Sequence, residues 1–239
     1  MRLRHAWRLL TTGGFVSSQL RDLQAHFSTA FSSDPFARAY RTVRPFTMSG
    51  PARLRALYEA VEHVSDNGIP GNIMECGAAR GGSSALLGIA IKNTGGRRTL
   101  WVLDTFEGIP APTPADPDHE IAAHYTGSFR GDIAEVAALL NRVEVLENTQ
   151  LVKGRFEETI PRIDPGPLAV LHIDGDWYSS VRVCLDHLYD RVVPGGIIQI
   201  DDYGHWEGAR KAVDEFVAAR GISEPLRYID YTGRQLVKR

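Results

Sequence analysis

Two cysteines in 239 residues cannot build a disulfide framework, and both Cys76 and Cys184 fall inside apolar patterns. A reducing cytoplasm is the simplest setting for such a chain. No apolar run approaches the roughly 20 residues of a membrane span. The basic start, Met1 to Arg8, reads as a solvated helix face rather than a binding arm. The stretch after it, Leu9–Gly14, is too polar and broken for a secretory signal. An excess of one charge is also missing. Lys+Arg 27 against Asp+Glu 29 leaves a net charge of −2, so no global field recruits nucleic acid. Internal repeats and low-complexity tracts are absent. What remains is 43% hydrophobic and 23% charged, which excludes disorder and a coiled coil and allows one large α/β domain.

What is present is alternation of helix and strand patterns. Residues 1–50 form an extension with Leu20, Leu23, Phe27 and Phe31 at helical spacing and no apolar partner of their own. The extension is predicted to act as a lid or to pack on a second subunit, giving a homodimer or higher homo-oligomer. Over 51–239, Leu54, Leu57, Val61 and Val64 mark a helix ended by Asn67–Gly71. Short strands are predicted at Ile73–Cys76, Thr99–Leu103, Gln150–Lys153, Leu168–Ile173 and Gly195–Ile200. Ser83 is the expected N-cap of a helix through Leu87 and Ile91. Asp132 with Glu135 resembles a capping box before Val136 and Leu140. Four prolines from Pro110 to Pro117 forbid regular structure and predict a loop, read as a lid. Val181, Leu185 and Leu188 mark one further helix, and Ala209, Val213 and Phe216 another. Arg227–Ile229 and Gln235–Lys238 flank Thr232-Gly233 as a closing hairpin. The prediction is an α/β fold: a doubly wound, mostly parallel sheet, helices on both faces, and an antiparallel C-terminal edge strand.

Two acidic clusters end two of these strands: Asp174-Gly175-Asp176 and Asp201-Asp202. Such strands deliver their carboxylates to the sheet edge where open α/β sheets bind ligands. Four acids converging there repel one another, and burial sharpens the repulsion. A divalent metal among them is the economical remedy.

The turn Gly77-Ala78-Ala79-Arg80-Gly81-Gly82 follows the first strand, and Asp104 ends the second. Glycines there let backbone approach a ligand, and an acid at that place commonly takes a ribose hydroxyl pair. The spacing is not the dinucleotide fingerprint. A ligand with a ribose but no pyrophosphate fits both facts, and S-adenosylmethionine is such a ligand. Glu75 would pair with its ammonium group.

Longer stretches then complete a pattern. Thr47-Met48, Ile69–Gly77, Arg80–Ser83, Leu103–Pro110, Lys153–Pro161, His172–Tyr178 and Asp201–Gly204 resemble the macrocin O-methyltransferase (TylF) family. The resemblance runs in unbroken order over about residues 40 to 220. That family is similar to other class I S-adenosylmethionine enzymes and methylates sugar hydroxyls of natural products with magnesium. The resemblance implies Asp174, Asp201 and Asp202 as Mg2+ ligands and Asp176 as general base. It implies Glu75, Gly77, Gly82, Ser83, Asp104 and Phe106 around S-adenosylmethionine, with Met48 and Phe156 packed nearby. The implied partner is a small glycosylated acceptor. Two departures bear on the acceptor rather than the reaction. Ala79 stands where the family often has a bulky residue, and the Pro-rich loop is compact.

Rival assignments carry less weight. His172 shares a strand face with Asp174 and reads as a satisfied core histidine rather than a base. His205 and Trp206 open the helix after the acid pair and lie within reach of an acceptor. Tyr178 reads as packing, Asp132 as an N-cap, and Asp186 and Asp190 as a solvated helix face. The alternative activity is a catechol-type O-methyltransferase on a phenolic diol. A metal-dependent sugar-nucleotide glycosyltransferase is weaker, because basic residues for a diphosphate are scarce near the glycine turn. A binding module that has lost catalysis is disfavoured, since idle acids cost stability.

Overall fold

Short apolar runs bounded by turn residues become buried strands, and the helices between them return the chain to the same sheet edge. The computed structural model describes residue 29 and residues 32–239. The predicted helix through Leu20, Leu23, Phe27 and Phe31 and the basic start lie outside the described residues. Strands β1 (Asn72–Cys76), β2 (Leu100–Asp104), β3 (Thr149–Lys153), β4 (Leu168–Ile173) and β5 (Val192–Ile200) run parallel. Strands β6 (Arg227–Tyr228) and β7 (Arg234–Val237) form the predicted hairpin, with β7 antiparallel to β5. The order is β3-β2-β1-β4-β5-β7-β6. It reverses between β1 and β4, which opens a crevice above their carboxyl ends.

The helices are α1 (Pro35–Val43), α2 (Pro51–Asp66), α3 (Gly82–Asn93), α4 (His119–Ala122), α5 (Ile133–Arg142), α6 (Phe156–Thr159), α7 (Tyr178–Leu188) and α8 (Glu207–Arg220). Two apolar cores sandwich the sheet. Ile73 of β1 joins α1, α2, α3 and α5, while its neighbour Met74 joins α7 and α8. This is the period-2 alternation of a strand covered on both faces. Phe36, Tyr40 and Val43 share the first core with Leu54 and Tyr58, so the described part of the N-terminal extension is docked on the main domain.

Three local expectations differ from the structure. Helix α3 starts at Gly82, with Gly81 as its N-cap at φ +81, so Ser83 sits inside the first turn. A glycine in the left-handed region ends the preceding turn without steric cost, which advances the helix start. Strand β5 begins at Val192 and carries Pro194 through a register shift against β4, the kind of place where a strand tolerates proline. Helix α8 begins at Glu207, and the amides of His205 and Trp206 bond the Asp202 carbonyl in the turn before it.

Candidate active site

Strands β1, β4 and β5 keep pairing one residue beyond their ends. The Asp174 amide bonds the Cys76 carbonyl at 2.8 Å, and the Asp201 amide bonds the Ile173 carbonyl at 2.9 Å. That ladder fixes both aspartates above the sheet edge. Gly77 sits beside it at φ +101, and a Cβ there would lie 1.9 Å from the Asp174 carbonyl oxygen. Only glycine lets the first strand turn away so close to the fourth. Gly82 is dictated by packing too, since its Cβ would meet Thr47 and Phe46.

A cavity of about 270 Å³ opens over these strand ends. Eight predicted residues line it: Met48, Gly77, Asp104, Phe156, Asp174, Asp176, Asp201 and Asp202. Glu75, Gly82, Ser83 and Phe106 do not; all four are buried behind the wall. Asp104 braces the glycine turn, accepting from the amides of Ala78 (2.7 Å), Ala79 (3.0 Å) and Phe106 (2.6 Å). The price is backbone strain, with Ala79 at φ +45 and Phe106 at φ +54.

Two cations stand among the acids. His172 is fully buried, with Nδ1 3.0 Å from Glu75 Oε1 and Nε2 3.3 Å from Asp201 Oδ1. Burial alone would depress its pKa, but Asp201 and Glu75 hold it well above the usual value, so the imidazole is charged. Glu75 also accepts a short hydrogen bond from Ser84 Oγ, which engages both of its oxygens. Arg53 forms a short ion pair with Asp201 and a second, at 2.9 Å, with Asp230. Burial opposes ionisation of Asp201, yet Arg53 and His172 hold it well below the usual carboxylate range. The counter-charge expected from a dication alone is thus partly supplied by the protein.

It is not enough for the other three. Burial, then the charges of Asp201 and Asp202, push Asp174 well up. Burial and Asp202 do the same to Asp176. Asp202 rises to about 6 through burial and Asp201. Asp176 is also strained at φ +57, with its amide 3.0 Å from Asp202 Oδ2 and its Oδ1 accepting from Trp206 Nε1 at 3.1 Å.

The family model for macrocin O-methyltransferase (TylF) matches residues 15–238. The chain belongs to that family. It is an S-adenosylmethionine-dependent O-methyltransferase. It is 37% identical over 193 residues to the 8-demethyl-8-(2,3-dimethoxy-alpha-L-rhamnosyl)-tetracenomycin-C 4'-O-methyltransferase of Streptomyces olivaceus, covering 78% of this chain and 73% of that one. It is 35% identical over 192 residues to the demethyldecarbamoylnovobiocin O-methyltransferase of Streptomyces niveus, with the same two coverages, 78% and 73%. The solved O-methyltransferase NovP superposes with a TM-score of 0.76 at 32% identity, covering 81% of this chain and 82% of that one.

A dication fits this methyltransferase's acid cluster. Ligand atoms of His172, Asp174 and Asp201 lie within 4.8 Å of one another. Both nitrogens of His172 already face carboxylates, Glu75 and Asp201, so the ring is taken up in holding them. That leaves carboxylate oxygens, the donor set of a hard ion such as magnesium. Asp174, one of these carboxylates, and Asp202, which lies outside the group within 4.8 Å, are both shifted upward by burial and by the negative charge around them.

Sequence reasoning missed several groups of the methyltransferase. Arg53 lies four residues before Leu57 on the apolar stripe of α2, and a charge on an apolar stripe is the signal that would have found it. Phe129 lines the cavity at φ +59 and is 42% exposed, an unusual place for an aromatic side chain. The Pro-rich loop is irregular as expected, but it is fastened. Buried Asp116 accepts from the Thr113 amide at 2.9 Å and caps α7 through the Tyr178 amide at 2.6 Å, while Trp177 Nε1 donates to the Pro110 carbonyl at 2.6 Å. Tyr178 packs on α8, bonding Glu215 at 2.7 Å.

Proposed function

We propose that this methyltransferase moves the methyl group of S-adenosylmethionine to a sugar hydroxyl of a glycosylated natural product, with a magnesium ion held by Asp174, Asp201 and Asp202. The observation that carries the reading is the convergence of four aspartates and a glycine turn on one cavity at the sheet's reversal point. The names of the tetracenomycin and novobiocin relatives support the acceptor class.

The donor faces Met48, Gly77, Asp104 and Phe156, with Glu75, Gly82, Ser83 and Phe106 shaping the wall behind. Met48 and Ser49 line the cavity from the extension, which supports a lid role for residues 1–50. Bound magnesium would supply electron withdrawal that acidifies the acceptor hydroxyl. Asp176 accepts the hydroxyl proton as the oxygen–carbon bond forms and the donor's sulfur–carbon bond breaks in line. Burial and Asp202 hold its carboxyl above the usual carboxylate range, which makes it a stronger base once ionised. Glu75 and His172 act from behind by fixing Asp201. The setting is a cytoplasmic homodimer or higher homo-oligomer; among the described residues no helix is long and apolar enough to cross a membrane.

Purified protein with S-adenosylmethionine, magnesium and a panel of glycosides and phenolic diols tests the reading. Mass analysis should find one added methyl on a sugar, lost on chelation. Methylation confined to phenols would replace it with the catechol-type activity.

A further inference from the structure

Both oxygens of Asp201 have partners. Its Oδ1 faces His172 Nε2 at 3.3 Å, while its Oδ2 takes Arg53 Nη1 in the short ion pair and Ser49 Oγ at 3.4 Å. A dication that takes Oδ2 must therefore displace a group already on it, and one that takes Oδ1 shares that oxygen with His172. His172 is clamped from its far side by Glu75 and has nowhere to go. Arg53 is differently placed. Its Nε donates to Asp230 Oδ2 at 2.9 Å, so releasing Asp201 would not strand a buried guanidinium.

Asp230 is built to hold that cation. Its Oδ1 accepts from the amides of Thr232 (3.0 Å) and Gly233 (2.7 Å), which closes the turn between β6 and β7. Gly233 is shaped around the arginine, because a Cβ there would lie 2.8 Å from Arg53 Cγ. The closing hairpin and α2 thus meet on one side chain at the cavity wall.

We propose that Arg53 is a positioning residue that stands in for the dication on Asp201 and, still held by Asp230, yields that oxygen to the ion. The proposal rests on the magnesium reading above. A fixed positive charge beside a dication repels it, and Asp230 offsets part of that repulsion. Arg53 therefore lowers metal affinity while keeping Asp201 aimed in the metal-free enzyme, and Asp230 raises it.

The probe is Mn2+, titrated into the full chain without methyl donor and followed by the free-ion EPR signal, with Mg2+ as competitor. Removing a like charge this close should matter strongly. Arg53→Gln is expected to bind Mn2+ about tenfold tighter or better, Arg53→Lys near wild type, and Asp230→Asn about threefold weaker or worse. A merely structural arginine would make every one of these variants bind more weakly. A folded Arg53→Gln that binds no tighter overturns the proposal. Should Arg53→Gln fail to fold, wild-type affinity in Asp230→Asn overturns it instead. Wild-type protein that binds no Mn2+ sinks the magnesium reading and this proposal together. Wild-type binding with the wrong signs in the variants sinks this proposal alone.

Discussion

Trp206 Nε1 donates to Asp176 Oδ1 at 3.1 Å, joining the residue just before α8 to the proposed base 30 positions earlier. Burial and Asp202 push Asp176 up, and this indole bond pulls it back. Trp206→Phe deletes the donor, so the acidic limb of the kcat/KM profile should move to higher pH. Asp176→Asn should cost about 10²- to 10⁴-fold in turnover while S-adenosylhomocysteine binding stays nearly unchanged. Calorimetry with kinetics checks both, and full turnover in Asp176→Asn removes the base from the scheme.

The pinned Pro-rich loop predicts a second effect. Asp116 is fully buried and serves the amides of Thr113 and Tyr178. Asp116→Ala leaves both without an acceptor, at about 1–3 kcal/mol. Thermal unfolding should show the loss, and acceptor KM should rise more than donor KM, because Ile109, Pro110 and Thr113 line the cavity. A uniform loss of kcat with both KM values unchanged would contradict a specificity wall.

Phe129 offers a test in which stability and affinity part company. Its φ of +59 costs on the order of 1 kcal/mol or more in a non-glycine residue, and 42% exposure returns little by burial. Phe129→Gly should therefore leave the melting temperature equal or higher while weakening ligand binding. Lower stability with unchanged affinity would mean that the ring serves packing.

The acid cluster sets a pH dependence whose sign follows from which state holds the extra proton. Asp202 sits at about 6, above the ordinary ~3.9 of an unfolded aspartate, so its contribution is present below ~3.9 and lost as pH rises through about 6. Asp174 and Asp176 shift the same way. His172, also raised, contributes fully below ~6.5 and is lost only as pH passes its folded value. Asp201 is lowered, so its contribution is lost only on acidification below ~3.9. Chelated protein should therefore lose stability from pH 4 upward, and magnesium should raise the melting temperature more at pH 8 than at pH 5. An equal magnesium effect at both pH values would argue against these carboxylates as its ligands.

Much of this was written into local sequence. Apolar runs of strand length, with helices between them, pointed to a mostly parallel sheet covered on both faces, because right-handed crossovers leave few other ways to bury such strands; the order of the strands came from the structure. Asp174, Asp176, Asp201 and Asp202 followed from their places at strand ends, and the glycine turn from its spacing. Packing decided the rest. Gly82 belongs to Phe46 and Thr47, which no local pattern reveals. Glu75 turns inward to His172 because its strand position faces a neighbour 97 residues away. Arg53 reaches Asp201 across 148 residues. The sequence by itself determined where carboxylates gather, since strand period and length act locally. Only the tertiary structure decided which cations answer them, since charges separated by a hundred residues meet through the fold alone.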